Sequence, residues 1–216
     1  MDPVIVMDLL AGSFGFVTCA VLFQRYKKYG NAPALALAFC VFVYGLGNFL
    51  WAIDDMQGVE QLAFVLPAYI SNYLPAYFGF VFVAQTIGRR KRVMTALSTI
   101  ITLIGVLGFV LFPLERSLQN GSYVYFLGPE LKLILIPLVI MALSLPVLLF
   151  FYALAMHRTG NRKETKKGSL LSAGFLLMVL GEFILVPYLK IPLLIDQIIL
   201  LAGFALVSFI FIYTER

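Results

Sequence analysis

Seven apolar stretches of about twenty residues fill nearly the whole chain, and the short segments between them alternate in charge. One set of connections carries Arg25–Lys28, Arg89–Arg92 and Arg158–Lys167; the other carries Asp54, Asp55, Glu60, Glu115 and Glu130. A helix rises about 1.5 Å per residue, so about twenty residues span a hydrocarbon core about 30 Å thick. Backbone polar groups in lipid must be satisfied within the protein, which favours helices as the spanning element. The sequence therefore predicts an all-α integral membrane bundle of seven transmembrane helices in one domain, residues 1–216. The spans are placed at about 3–23, 32–53, 62–87, 93–113, 131–156, 169–189 and 192–213. Lys and Arg concentrate in cytoplasmic loops, so the N-terminus is expected outside the cell membrane and the C-terminus inside.

Composition points the same way. Apolar residues make up 62% of the chain and charged residues 12%, against roughly 25% charged in a soluble domain. The net charge of +5 does not imply nucleic acid, because of where the charges sit. Of the 16 Lys and Arg, only Arg116, Lys132 and Lys190 fall outside the three basic segments and the last residue. A cytoplasmic rim facing anionic membrane lipids accounts for that distribution and leaves no role for nucleic acid. Cys19 and Cys40 lie inside apolar runs, where thiols act as small apolar groups. With His157 as the single histidine, neither a haem nor a multi-histidine metal site is expected. No cofactor is implied. The opening Met1-Asp2-Pro3 lacks a basic leader region, so the first run reads as a true span.

The segment 114–130 contains Asn120-Gly121, the pair that supplies the positive φ angles of a tight turn. A small β-hairpin and an irregular loop are both compatible with it. Asn120-Gly121-Ser122 is also a glycosylation sequon, although turn chemistry is the stronger reading. Pro67 and Pro75 in the third span, and Pro137 and Pro146 in the fifth, are expected to kink their helices. Gly12, Gly15, Gly45, Gly47, Gly105 and Gly108 allow close backbone approach.

Polar residues inside the spans are the strongest functional signal, because a carboxylate at mid-bilayer costs about 2.5–3.5 kcal/mol on insertion scales. Glu182 is the deepest, about seven residues or roughly 10 Å from the outer end of span six. Asp196 lies one turn into span seven, Asp8 near the start of span one, Asn48 and Trp51 near the outer end of span two, and Asn72 in mid-span three. All map to the outer half of the membrane, and the inner halves are nearly apolar. These six residues are therefore read as lining a pocket for a small-molecule ligand, open to the outside. Cross-helix hydrogen bonding that merely holds the bundle together is the competing account. Glu182 as an ion or proton site would instead make the chain a small transporter or channel.

Enzyme motifs are missing: there is no Gly-x-Ser-x-Gly, no His-Glu-x-x-His, no phosphate loop and no dinucleotide fingerprint. No catalytic residue is assigned, and an intramembrane lipid-modifying enzyme is the least favoured class. Retinal proteins attach their chromophore to a lysine in the middle of the last helix. Residues 192–213 hold none, and Lys190 in the Pro187–Pro192 turn is expected to snorkel to the surface.

Gln24-Arg25-Tyr26-Lys27-Lys28 leading into Ala34–Phe42 and Asn48-Phe49-Leu50-Trp51 resembles the first hairpin of prokaryotic seven-helix sensor modules. Leu74-Pro75-Ala76-Tyr77-Phe78 running to Thr86-Ile87-Gly88-Arg89-Arg90 is similar to their third span. The segment Tyr125–Pro129, the run Tyr152–Arg162 and the glycine-containing Gly168–Gly181 extend the likeness over most of the chain. Such modules precede histidine kinases and diguanylate cyclases. The resemblance implies an N-out receptor for a small ligand or membrane state. The sequence stops at Thr214-Glu215-Arg216, without a kinase or cyclase, so signalling is expected to pass to a cytoplasmic partner at the basic segment 157–168.

Overall fold

The computed structural model describes residues 3–57, 61–88, 91–119, 122–181 and 193–213. Among them are seven helices and one hairpin: α1 (Pro3–Tyr29), α2 (Ala32–Gln57), α3 (Leu62–Ile87), α4 (Lys91–Leu111), β1 (Glu115–Gln119), β2 (Ser122–Phe126), α5 (Pro129–Arg158), α6 (Arg162–Leu180) and α7 (Leu193–Tyr213). The all-α expectation holds apart from the hairpin. There β1 and β2 pair antiparallel from Glu115↔Phe126 to Gln119↔Ser122, so the strand alternative for this segment is the one adopted. A two-residue connection is what Asn-Gly turn chemistry favours.

Among the described residues, four helices are long and apolar enough to cross a membrane: α1, α2, α4 and α5. The spans expected at α3, α6 and α7 are not among these four, and the apolar sequences of α6 and α7 continue into residues outside the described ones. In α3, Ser71, Asn72 and Gln85 dilute the apolar run, and α6 begins in Arg162-Lys163-Glu164 rather than at 169. The basic 158–167 segment is thus mostly helix. Lys, Arg and Glu are good helix formers, so charge ends the lipid-compatible run without ending the helix. Its actual turn is Thr159-Gly160-Asn161, where Asn161 Oδ1 accepts the Glu164 N–H at 3.2 Å.

Gly30, Gly88 and Gly160 have φ of 63°, 74° and 75°. Each ends a helix at a basic turn, using the left-handed conformation that glycine reaches without steric cost. Short turns force neighbouring helices antiparallel, and each packs on the next: α1 on α2, α2 on α3, α3 on α4, α4 on α5, α5 on α6, α6 on α7. Contacts of α7 with α1 close the ring, and α3 also meets α5 directly.

Small residues set the closest approaches. A Cβ on Gly15 would stand 2.9 Å from Gly45 Cα, and one on Gly203 would stand 2.7 Å from the Gly174 carbonyl oxygen. The α1–α2 and α6–α7 seams therefore pack backbone against backbone. Buried apolar residues form two clusters. One, toward the basic end, joins Leu22, Leu37, Val41, Phe82, Leu149, Leu171 and Phe204. The other, toward the acidic end, joins Val65, Phe109, Leu131, Leu135, Leu138 and Val179. α4 buries Ser98, Thr102, Gly105 and Gly108 against its neighbours and leaves Val93, Leu97, Ile100, Leu103, Leu107 and Val110 exposed. That face suits lipid rather than water.

Candidate functional site

The α2–α3 seam brings together three of the six expected site residues. Asn48 is buried, and its Nδ2 donates to the Tyr44 carbonyl at 2.9 Å, four residues back in its own helix. Trp51 is half-buried and meets Tyr69 edge-on, with ring centroids 5.2 Å apart. Asn72 packs against Gly47, where a Cβ would lie 2.8 Å from its Oδ1.

Asp8 sits apart on α1, 2% exposed. The Thr18–Ser208 and Phe14–Phe204 contacts share a separation of 190 residues, which makes α1 and α7 parallel neighbours. Carried along, that register sets Asp8 level with Ile198, within two residues of Asp196. Asp196 falls in the first turn of α7, and its side chain lies outside the described residues, as does Glu182 entirely. Lys190 and the Pro187–Pro192 turn are likewise outside them.

Asn72 also lines a cavity of about 30 Å³ between α2, α3, α5 and α6. Its walls include Cys40 and Tyr44, Pro75 and Ala76, Ala142 and Leu145, and Phe175 and Met178. The cavity lies where the two apolar clusters meet. The lining is mostly apolar, and two prolines interrupt helix hydrogen-bond ladders beside it. Having no N–H, Pro75 and Pro146 offer no donor to the carbonyls of Ser71 and Ala142, four residues earlier. Neighbouring side chains bond to the prolines' own carbonyls: Cys40 Sγ donates to Pro75 at 3.4 Å and Ser172 Oγ to Pro146 at 2.7 Å. A space of this size accommodates about one or two waters, far below the roughly 300–1,000 Å³ of a small-molecule pocket.

Several polar residues were not legible as site candidates. Thr18 Oγ1 donates to Ser208 Oγ at 3.1 Å in the buried α1–α7 seam. Ser98 and Thr102 are buried on α4. These lie in the half of the bundle expected to be nearly apolar, which corrects that expectation. Hydroxyls pass unnoticed there because Ser and Thr bond locally at little cost to a helix. Toward the acidic end, Asp54 is 1% exposed and its Oδ1 accepts the Gln61 N–H at 2.8 Å, tying the end of α2 to the start of α3. Among the described residues no group of three His, Cys, Asp or Glu side chains converges to hold a metal ion.

Comparison with protein-family models, with curated proteins and with solved structures returns no match.

Proposed function

We propose that the chain is a multi-pass cell-membrane protein of seven spans, N-terminus outside and C-terminus in the cytoplasm, working as a sensor-like module. A small or lipid-soluble ligand binds in the outer half of the bundle and biases how α6 and α7 pack. A cytoplasmic partner at 157–168 then reads the change. The observation that supports this reading is a cavity lined by Asn72 and Pro75 of α3 and by Ala142 and Leu145 of α5, next to Pro146 in the chain. Two helices with interrupted hydrogen-bond ladders flank it, so the bundle is least rigidly specified at that level. The compact cavity belongs to one arrangement. A ligand that fits a wider one shifts the population toward it in proportion to its differential affinity.

Trp51 is the sole tryptophan, so its emission reports rearrangement at the α2–α3 seam. A lipid-soluble compound library, screened by thermal unfolding and Trp51 emission on the purified chain, tests the proposal. A true ligand raises the midpoint, and Asn72→Ala weakens it about tenfold through the lost hydrogen bond. Stabilisation indifferent to both Asn72→Ala and Glu182→Gln would remove the outer pocket from the account.

A further inference from the structure

At the basic end, the start of α2, the end of α3 and the start of α4 enclose an open cleft of about 590 Å³. Pro33 forms one wall, Gln85 the floor, and Lys91, Arg92, Thr95 and Thr99 the other wall. Lys91 and Arg92 are exposed and have no ion-pair partner among the described residues. On the floor, Gln85 Oε1 is buried and accepts no hydrogen bond from any described residue. Thr99 Oγ1 donates to the Thr95 carbonyl at 2.8 Å. Away from the basic end, the cleft gives onto apolar surface: exposed Phe39, stacked on Phe78 at 5.5 Å, and Val93, Leu97 and Ile100 of α4.

The geometry points to a binding site for one anionic phospholipid. Lys91 and Arg92 take the phosphodiester, since both donate charge-assisted hydrogen bonds to phosphate oxygens. Gln85, part-buried, lines the cleft between them and Pro33. The apolar surface alongside accommodates the acyl chains. A second basic recess, about 440 Å³ around Gln24, Arg25 and Lys28, is built from α1 alone rather than from three helices. It serves as the internal control.

This site rests on the proposed membrane placement, and the test separates the two. The full chain is reconstituted in nanodiscs of phosphatidylcholine, with or without phosphatidylglycerol, and in phosphatidylcholine with soluble glycerol phosphate. Thermal midpoint and co-retained lipid by native mass spectrometry are read for the wild type, Lys91→Gln/Arg92→Gln and Arg25→Gln/Lys28→Gln. Phosphatidylglycerol should raise the wild-type midpoint and be retained, retention falling about tenfold in the first double variant and little in the second. Equal loss in both variants would reduce the effect to general attraction by a basic rim and overturn the site. A full shift from soluble glycerol phosphate would overturn the lipid assignment. Incorporation without lipid preference overturns the site alone, whereas failure to incorporate overturns the membrane placement with it.

Discussion

The two ends of the bundle differ in which polar groups they bury. At the acidic end, Asp8, Asn48 and Asp54 are at most 5% exposed and engaged within the fold. At the basic end, Lys28, Lys91 and Arg92 are exposed and border open clefts. Depth of a polar residue in a span therefore identifies where polar groups are buried, which is a different property from where the surface is open. The acidic end buries these three groups while leaving Asp55, Glu115 and Glu130 exposed at its rim, and the two charged clefts described above lie at the basic end.

The largest effect should come from overfilling the α2–α3 seam. Gly47→Leu drives a side chain into Asn72 and Ser71 and should cost about 3 kcal/mol, at the upper end of ordinary overpacking. Unfolding of the purified chain in a denaturant titration checks it. Asp54→Ala removes the acceptor for the Gln61 N–H. It should lose about 1 kcal/mol, as capping losses do, with faster amide exchange at the start of α3. Thr18→Val breaks the buried pair with Ser208 and should cost about 0.6 kcal/mol, the mean for hydrogen bonds between membrane helices. Smallest of all, Arg25→Gln/Lys28→Gln and Lys91→Gln/Arg92→Gln should stay within about 0.5 kcal/mol in neutral detergent, as surface changes do. A reversed order, with the basic-end variants costing more than Gly47→Leu, would break the contrast.

Much of the architecture was legible in the residues. The apolar runs locate every described helix, and Asn120-Gly121 sits between the two paired strands. Helix ends were less legible, because an apolar run marks the part suited to lipid. α1 continues six residues beyond its apolar run to Tyr29, and α6 starts seven residues before its own, through charged residues that favour helix. The candidate site was legible in part. Spacing indicated that Asn72 lies deep in α3, but no spacing reveals that Gly47 receives it or that Pro146 frees a carbonyl across the cavity. Asn48 illustrates another limit: its bond to its own helix at Tyr44 is local and competes with any ligand role. Gln85 escaped notice because it stands near a helix end, and only the tertiary fold makes it the floor of a cleft.

Crossing topology is the central claim, and cysteine accessibility tests it most directly. With Cys19 and Cys40 replaced by alanine, single cysteines are placed at Gln119 in the hairpin and at Thr159 in the α5–α6 turn of otherwise complete chains. Intact cells are then treated with a membrane-impermeant maleimide. Labelling is expected at Gln119→Cys in intact cells and at Thr159→Cys only after permeabilisation. Labelling of both from outside, or the reverse order, would contradict it.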